Sequence, residues 1–406
     1  MNTLTSTVLT DQSYKLTTHK PSALVLLFLI SFGSIGAVLF TPALPNISDY
    51  FHISSSATQF TITAYLLGYA IGQLPYGPLA NRFGRKKTIL IGVSLEIIGA
   101  TLSVLAAPMH SFALLIFARF ITAMGACVGL MMSFTIISDF FHEHQARVLI
   151  SYLLTAFAIM PGISVTLGGY LTSYFGWIST FYFLIAYGVI IALMTTTLPE
   201  TATCFNQNAL KISHILQSYK KVIRDKKLIC YAMIMGGCTA GTYLFSGMAP
   251  FISMHFIGLT PKQYGLFNII PSMGLLIGGL LSAKLAKVIT AKTAIFMGIL
   301  TALLGALCLL LLFGLSKLSA MDLFIPIAFV QMCNTLVFPN ASTLASRNTQ
   351  DKSSASAMMN FLNLSTAVVF VFIGSVVPMT HAIIFPVLLV GIFIGMYVLF
   401  LNISAD

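Results

Sequence analysis

The amino-acid sequence predicts an all-α integral membrane protein with twelve transmembrane helices arranged as two six-helix repeats. Three observations support this fold class. The 406 residues are 57% hydrophobic and only 8% charged, whereas a soluble domain is about 45–50% apolar and about 25% charged. The apolar residues form runs of about 20, the length that crosses a bilayer as a helix. One constant offset of 205 residues relates the two halves of the chain.

Polar or charged residues bound each apolar run, which places the helix ends in water. The only long polar interruption is 199–227, and we predict that it is a cytoplasmic central loop between two groups of six spans. Residues 1–21 are predicted to be a cytoplasmic N-terminal tail, and the two six-helix bundles to cover 22–198 and 228–402. The predicted spans are 22–44, 58–80, 88–107, 112–137, 147–171, 178–198, 228–252, 263–283, 293–315, 322–345, 354–377 and 382–402.

The cations predict the orientation of the chain. With the N-terminus inside, 18 of the 21 Lys and Arg residues lie in cytoplasmic segments, Lys262 and Lys317 lie on the opposite side, and Arg119 lies within a span. An excess of Lys and Arg marks the cytoplasmic loops of membrane proteins. Both termini are therefore expected in the cytoplasm of a bacterial inner-membrane protein. The net charge of +11 reflects this topology and does not indicate nucleic-acid binding.

The internal repeat indicates a class of function. The offset of 205 residues places Leu39 on Leu244, Pro45 on Pro250 and Gly169 on Gly374, along with the basic residues that follow the second span of each half. Parallel repeats of this kind are typical of secondary transporters, whose substrate site lies at the repeat interface near the middle of the bilayer.

A basic segment between the second and third spans carries the most specific pattern. It resembles the signature of the major facilitator superfamily, with Asn81 where that family usually has Asp. We expect glycines of this segment to permit a tight turn and close helix approach, and its cations to hold helix C-termini, where the dipole is negative. Asp139 is expected to pair with Arg147 or with these cations. The predicted cytoplasmic gate comprises Gly77, Asn81, Arg82, Gly84, Arg85, Lys86, Asp139 and Arg147.

Other segments resemble the drug/proton antiporters of the Bcr/CflA type within that family. They include Gly68 to Gln73, Pro42 to Pro45 and Phe338 to Asn340. The resemblance implies alternating access, proton-coupled export of drug-like or amphipathic molecules, a monomer, and no cofactor or metal. The fifth span resembles the exporters' motif and is predicted to be a hinge or a close seam between the halves, with small-residue packing as the alternative. Its residues are Pro161, Gly162, Gly168 and Gly169.

Two ionisable side chains lie deep in the predicted spans, where charge is costly and marks candidate functional residues. Arg119 is expected to bind an anionic substrate group or to act on a nearby carboxyl; packing against backbone carbonyls is the alternative. Glu96, about 12 Å from the cytoplasmic end of its span, is the candidate proton carrier, unless it reaches cytoplasmic water or bonds a neighbouring helix.

The resemblance raises the question of which residue carries the coupled proton, because many of these antiporters have an Asp in the first helix. The stretch from Ala37 to Thr41 has no acid. Glu96 therefore substitutes, Asp139 takes part, or coupling differs.

The family resemblance implies a substrate cavity lined by spans 1, 4, 7 and 10. A transporter of a specific metabolite, such as a siderophore, sugar or amino-acid derivative, and a non-transporting membrane sensor remain as alternatives. An enzyme and an ATP-driven pump are not expected, because the spans show no nucleophile–base pair or metal-ligand spacing and the chain has no phosphate-binding loop. The candidate substrate and coupling residues besides Glu96 and Arg119 are Phe40, Tyr65, Gln73, Tyr243, Phe245, Gln331 and Asn334.

Overall fold

A computed structural model describes residues 20–202, 225–315, 318–345 and 352–405. Within these ranges the chain forms twelve long helices, the number that the sequence predicts. Most of the predicted tail and central loop lies outside the described residues. In chain order the helices are α1 (Ala23–Phe51), α2 (Phe60–Phe83), α3 (Arg85–Leu105), α4 (Phe112–Phe140), α5 (Glu143–Phe175), α6 (Ser179–Thr196), α7 (Lys226–Phe256), α8 (Pro261–Leu285), α9 (Ala291–Leu315), α10 (Ala320–Ala345), α11 (Lys352–Val376) and α12 (Ile384–Ala405).

Ten of these helices are long and apolar enough to cross a membrane. Of the other two, α2 has 24 residues, with polar residues and two prolines inside the helix. The helix α5 has 33 residues, and several side chains in its first half lie outside the described part of the chain. Both pack against the opposite half of the molecule, α2 on α11 and α5 on α8. Because protein rather than lipid covers this face of α2, its lower hydropathy is compatible with a membrane-spanning position.

The helix α1 is kinked, and this kink explains the largest error in the predicted boundaries. It is regular from Ala23 to Val38, passes through a single 3-10 turn at Thr41–Ala43 and continues to Phe51. Prolines in this stretch cannot donate a backbone hydrogen bond, so the sequence suggested an end at residue 44. At the kink the Leu39 carbonyl lies directly against Gly168 of α5, where a Cβ atom would have no room.

The predicted hinge residues lie in a continuous helix. The helix α5 runs through Pro161 without a break. A Cβ atom added at Gly169 would lie 2.5 Å from the carbonyl oxygen of Pro261 on α8, and Gly162 lies against the side chain of Ser272 on the same helix. These small residues therefore form a close seam between α5 and α8, and a hinge at this point stays a prediction.

The two halves meet most closely at the end where α1 and α7 finish. There the Ser56 hydroxyl donates to the Val377 carbonyl at 2.8 Å, and the Lys262 amide donates to the Ser173 hydroxyl at 3.0 Å. We call this set of contacts the outer seam, because the predicted orientation places it on the extracytoplasmic side. The structure is closed at the outer seam.

Candidate functional site

The basic segment is helical on both sides of Gly84 and is not the loop that the sequence suggested. The helix α2 continues to Phe83 and α3 begins at Arg85, so Gly84 turns the chain with a φ of +88°. A Cβ atom there would lie 2.5 Å from the Glu200 carboxylate, whereas one at Gly77 would meet nothing within 4 Å. The tight turn expected at Gly77 is absent, because this residue lies inside a regular helix.

A salt bridge joins the start of α3 to the end of α4. The Arg85 Nε atom lies 2.8 Å from Asp139 Oδ2, and the two side chains are 13% and 24% exposed. It is the one salt bridge found in the described ranges. Lys86 donates from Nζ to the Thr196 carbonyl at 2.6 Å, at the end of α6, as a cation at a helix C-terminus should. The side chain of Arg147 lies outside the described residues.

A further gate contact, by Glu200, was missed by the sequence analysis. Its carboxylate accepts hydrogen bonds from the backbone amides of Arg85 at 2.8 Å and Lys86 at 3.1 Å, at the positive end of the α3 dipole. The neighbouring Thr201 hydroxyl donates to Asp139 Oδ2 at 3.1 Å. The signal in the sequence was an acid directly after the sixth span. These contacts tie the turn between α2 and α3 to the ends of α4 and α6.

Two other predicted gate residues, Asn81 and Arg82, are exposed at the end of α2. The Arg82 guanidinium lies 5.3 Å from the centre of the Phe83 ring. Neither residue makes a salt bridge within the described part of the chain, so their role in a gate stays a prediction.

Arg119 is completely buried on α4 between two aromatic rings. Its guanidinium carbon lies 4.0 Å from the centre of the Phe40 ring and 4.4 Å from that of Tyr65, and Nη2 donates to the Gly36 carbonyl at 2.7 Å. Nε and Nη1 have no hydrogen-bond partner. A desolvated guanidinium on aromatic faces gains about 2 kcal/mol or more. The alternative predicted for Arg119, packing against a backbone carbonyl, is therefore present. Two donor nitrogens, Nε and Nη1, remain without a partner.

Close helix packing positions this aromatic cage, which we define as Phe40, Tyr65 and the guanidinium between them. The helix α2 approaches α4 because Gly68 lies directly against the backbone of Phe120. The Tyr65 hydroxyl donates to the Gly33 carbonyl at 2.8 Å, which fixes the ring. Phe40 lies in the kink of α1 and is fully buried. The cage thus depends on the packing of α1, α2 and α4.

Glu96 lies in the middle of α3 and is completely buried. It follows Arg85 by eleven residues, or about 16 Å of helix, which is deeper than predicted because α3 begins earlier. Neither carboxyl oxygen has a hydrogen-bond partner, and a Cβ atom at Gly188 of α6 would lie 2.7 Å from Oε2. The alternative that Glu96 reaches cytoplasmic water, or bonds a neighbouring helix, is therefore wrong for this conformation.

Glu96 and Arg119 lie on neighbouring helices within electrostatic range of each other, yet they form no salt bridge. Tyr187 of α6 is also within range of Glu96, and its hydroxyl donates to the Phe28 carbonyl at 2.9 Å. Burying an isolated carboxylate costs far more than burying the neutral acid.

Polar side chains of α7, α10 and α11 form a second buried group, which we call the amide cluster. Gln331 Oε1 accepts hydrogen bonds from the Thr242 hydroxyl at 3.1 Å and from Asn334 Nδ2 at 3.3 Å. The Thr239 hydroxyl donates to Asn363 at 2.8 Å, and Asn334 Oδ1 has no partner. Of these five residues, only Gln331 and Asn334 were predicted from the sequence. The signal for Thr239, Thr242 and Asn363 was a polar side chain inside an apolar span.

The remaining candidate substrate residues lie in different parts of the structure. Tyr243 of α7 lies within electrostatic range of Tyr65 on α2 and so approaches the aromatic cage from the other half. Phe245 packs within its own half, with its ring centre 6.1 Å from that of Phe324 on α10. Gln73 is buried on α2. The structure thus brings Tyr243 towards Tyr65 of the aromatic cage and keeps Phe245 in the core of the second half.

The sequence also matches a known protein family. The profile of the Major Facilitator Superfamily matches residues 24–371, most of the chain. The chain belongs to the major facilitator superfamily. It is therefore a multi-pass membrane protein.

Several curated relatives are bacterial proteins. An "Uncharacterized transporter" of Rickettsia bellii is 32% identical over 269 residues, which cover 66% of this chain and 65% of the relative. "Multidrug resistance protein D" of Escherichia coli strain K12 is 25% identical over 322 residues, or 79% of each chain. The "Bicyclomycin resistance protein homolog" of Haemophilus influenzae is 23% identical and covers 79% and 81%. These relatives support the drug/proton antiporter group that the motifs indicate.

Solved structures show the same fold. The crystal structure of a D-xylose–proton symporter matches with a TM-score of 0.73 over 92% of this chain and 96% of that one, at 15% identity. The inward-open xylose transporter XylE of Escherichia coli matches equally well, at 16% identity. Identities this low establish a shared fold alone. They confirm the major facilitator fold that the sequence predicts.

Proposed function

We propose that this transporter exports drug-like or amphipathic small molecules across the bacterial inner membrane in exchange for protons, with Glu96 as the proton carrier. The observation that carries the proposal is the burial of Glu96 at mid-helix with neither carboxyl oxygen hydrogen-bonded. The chain has only 10 acidic residues, and among those in the described ranges Glu96 alone lies away from a helix end. An intramembrane acid is by default a candidate for proton relay.

The proposed substrates are neutral or zwitterionic. Aromatic rings and a few amides suit amphipathic molecules of that kind, and Tyr243 and the amide cluster supply both. The names of relatives point the same way, since they include a multidrug resistance protein, a bicyclomycin resistance homolog and the chloramphenicol resistance protein CraA of Acinetobacter baumannii. Chloramphenicol and bicyclomycin are therefore the first compounds to test.

In the proposed cycle the outer seam opens and closes while a monomer moves substrate in one direction and a proton in the other. Opening the outer seam gives Glu96 access to the extracytoplasmic side, where it takes up a proton as substrate leaves. Closing the seam, as in this structure, encloses Glu96, which is completely buried here, and a further movement on the cytoplasmic side then releases the proton to the cytoplasm. One proton moving down a gradient of one pH unit supplies about 1.4 kcal/mol, enough for a tenfold substrate gradient.

Transport in proteoliposomes tests this function. The purified protein is reconstituted, an acid-inside pH gradient is imposed, and radiolabelled chloramphenicol or bicyclomycin is added outside. Inside-out molecules should concentrate the compound in the lumen, and a protonophore should abolish the accumulation. Equilibration without accumulation, in vesicles that retain their gradient, would contradict proton coupling.

A second candidate is the transport of a specific metabolite that carries an anionic group. The two unpartnered donors of Arg119, Nε and Nη1, favour it. The rings of Phe40 and Tyr65 cover the guanidinium in this conformation, so an anion reaches it only after α1 or α2 has moved. Under this alternative Arg119→Gln should raise the half-saturating concentration for anionic substrates much more than for neutral ones.

A further inference from the structure

An apolar groove of about 470 Å³ runs along the seam between α5 and α8. Gly162 and Ser272 meet at its floor. Its rim is open to the surroundings, since Ile163 is 53% exposed and Met273 is 47% exposed. In a membrane-spanning segment, exposure of such side chains means contact with lipid. The walls of the groove include Ile159, Ile163, Tyr170, Ile269, Met273 and Leu276.

A cation lies at one end of the groove. The Lys262 ammonium is 5.0 Å from the centre of the Tyr170 ring and donates to the Tyr174 hydroxyl at 3.0 Å. Tyr170 is itself part of the groove wall. An ammonium has three donors, so two remain for another acceptor, and no salt bridge occupies Lys262 in the described ranges. Lys262 also lies on the side of the membrane where cations are rare in this chain.

The groove has the depth of one lipid leaflet. Between Tyr170 and Ile159 it follows eleven residues of α5, about 16 Å, which is half of a hydrocarbon core about 30 Å thick. The two aliphatic hydroxyls in its lining are already used, because Thr166 and Ser272 both donate to backbone carbonyls. The groove therefore offers apolar contact along its length and a free positive charge at the level of the headgroups.

We propose that a phospholipid of the outer leaflet occupies this groove, with its phosphate on Lys262 and one acyl chain between α5 and α8. The charge at one end and the apolar walls match the two parts of a phospholipid. Because α5 and α8 belong to different halves, the lipid contacts both. A ligand that binds one conformation more tightly shifts the population towards it, so the lipid stabilises the arrangement in which the outer seam is closed.

Native mass spectrometry of the full-length protein in detergent, titrated with phosphatidylglycerol, tests the site. The wild type should retain one lipid. Met273→Trp fills the groove and Lys262→Gln removes the cation, and each should weaken retention at least tenfold. Lys262→Arg keeps the charge and should retain the lipid. Melting temperatures in detergent show whether each variant is folded.

Two matched controls lie at the other end of the same helix or just beyond it. Leu280→Trp adds the same bulk at a residue that is 60% exposed and outside the groove. Lys287→Gln removes an exposed cation at the other end of α8. Both should bind phosphatidylglycerol as the wild type does.

Three results would overturn the proposal. The first is equal retention of phosphatidylglycerol by the wild type, Met273→Trp and Lys262→Gln. The second is equally tight binding of glycerol 3-phosphate, which would show that the acyl chain contributes nothing. The third is a Met273→Trp protein that keeps the lipid but no longer transports chloramphenicol, which would assign the groove to substrate.

Discussion

The guanidinium carbon of Arg119 lies 4.0 Å from the centre of the Phe40 ring. The ring belongs to the kinked part of α1, and the preceding carbonyl of Leu39 lies against Gly168 of α5. The buried cation of α4, the kink of α1 and the close packing of α5 are therefore parts of one contiguous packing unit. Separating α1 from α4 would remove an aromatic face from a desolvated cation, so we expect these helices to move together.

Phe40→Leu should destabilise the protein by about 2 kcal/mol, because the cation loses one aromatic face and the core loses volume. The measurement is unfolding in detergent followed by the fluorescence of Trp177, the only tryptophan in the chain. Phe117→Leu is the matched control, since this side chain is on α4 as well but is 55% exposed. Equal destabilisation by both substitutions would show that the cage adds nothing to stability.

The two glycines of the basic segment should respond in opposite ways. Gly84→Ala forces a side chain into a φ of +88° and against the Glu200 carboxylate, so we expect a loss of at least about 1 kcal/mol. Gly77→Ala places a methyl group in open space within a helix, where Ala is favoured over Gly by up to about 1 kcal/mol. Melting temperatures of the two variants, compared side by side, check this order, and a lower value for Gly77→Ala would contradict it.

The salt bridge between Arg85 and Asp139 should show a modest coupling energy. For a partly exposed pair we expect about 0.5–1 kcal/mol, measured by a double-mutant cycle with Arg85→Ala and Asp139→Ala. High salt should reduce this value. Arg82→Gln removes an exposed cation that makes no salt bridge in the described ranges and should leave stability unchanged. A coupling energy of zero would mean that the bridge does not stabilise this conformation.

We expect transport to require opening of the outer seam. Cysteines placed at Ser56 and Val377, which are joined by a hydrogen bond of 2.8 Å, should form a cross-link that stops substrate movement until a reducing agent is added. Each single-cysteine variant serves as a control, because the chain has six cysteines of its own, of which Cys308 is exposed. Full transport by the cross-linked protein would show that the two halves need not separate there.

Much of the fold could be predicted from the sequence, because lipid imposes a simple length and polarity rule on each span. Helix ends agree within four residues throughout, except at the end of α1. There, prolines that kink a helix look the same in sequence as prolines that end one. The prediction of a loop around Gly77 was wrong for a related reason. A glycine in the sequence does not by itself show whether a helix continues.

The candidate site was harder to predict, because its contacts join residues far apart in the chain. Arg119 and Glu96 stand out as charges in apolar spans. The contacts of Arg119 with the Phe40 ring and the Gly36 carbonyl, and the burial of Glu96 against Gly188, depend on which helices pack together. The pairing of Asp139 with a cation of the basic segment could be anticipated from charge alone, whereas the part played by Glu200 required the positions of the helix ends.

The central claim, that Glu96 carries the coupled proton, is tested most directly by substrate-induced proton movement. Proteoliposomes with a pH-sensitive dye inside are challenged with chloramphenicol or bicyclomycin, with Glu96→Gln compared against the wild type. Asp49→Asn is the matched control, because it removes an exposed carboxyl at the end of α1. We expect proton flux in the wild type and in Asp49→Asn and none in Glu96→Gln. Undiminished flux in a folded Glu96→Gln protein would contradict it.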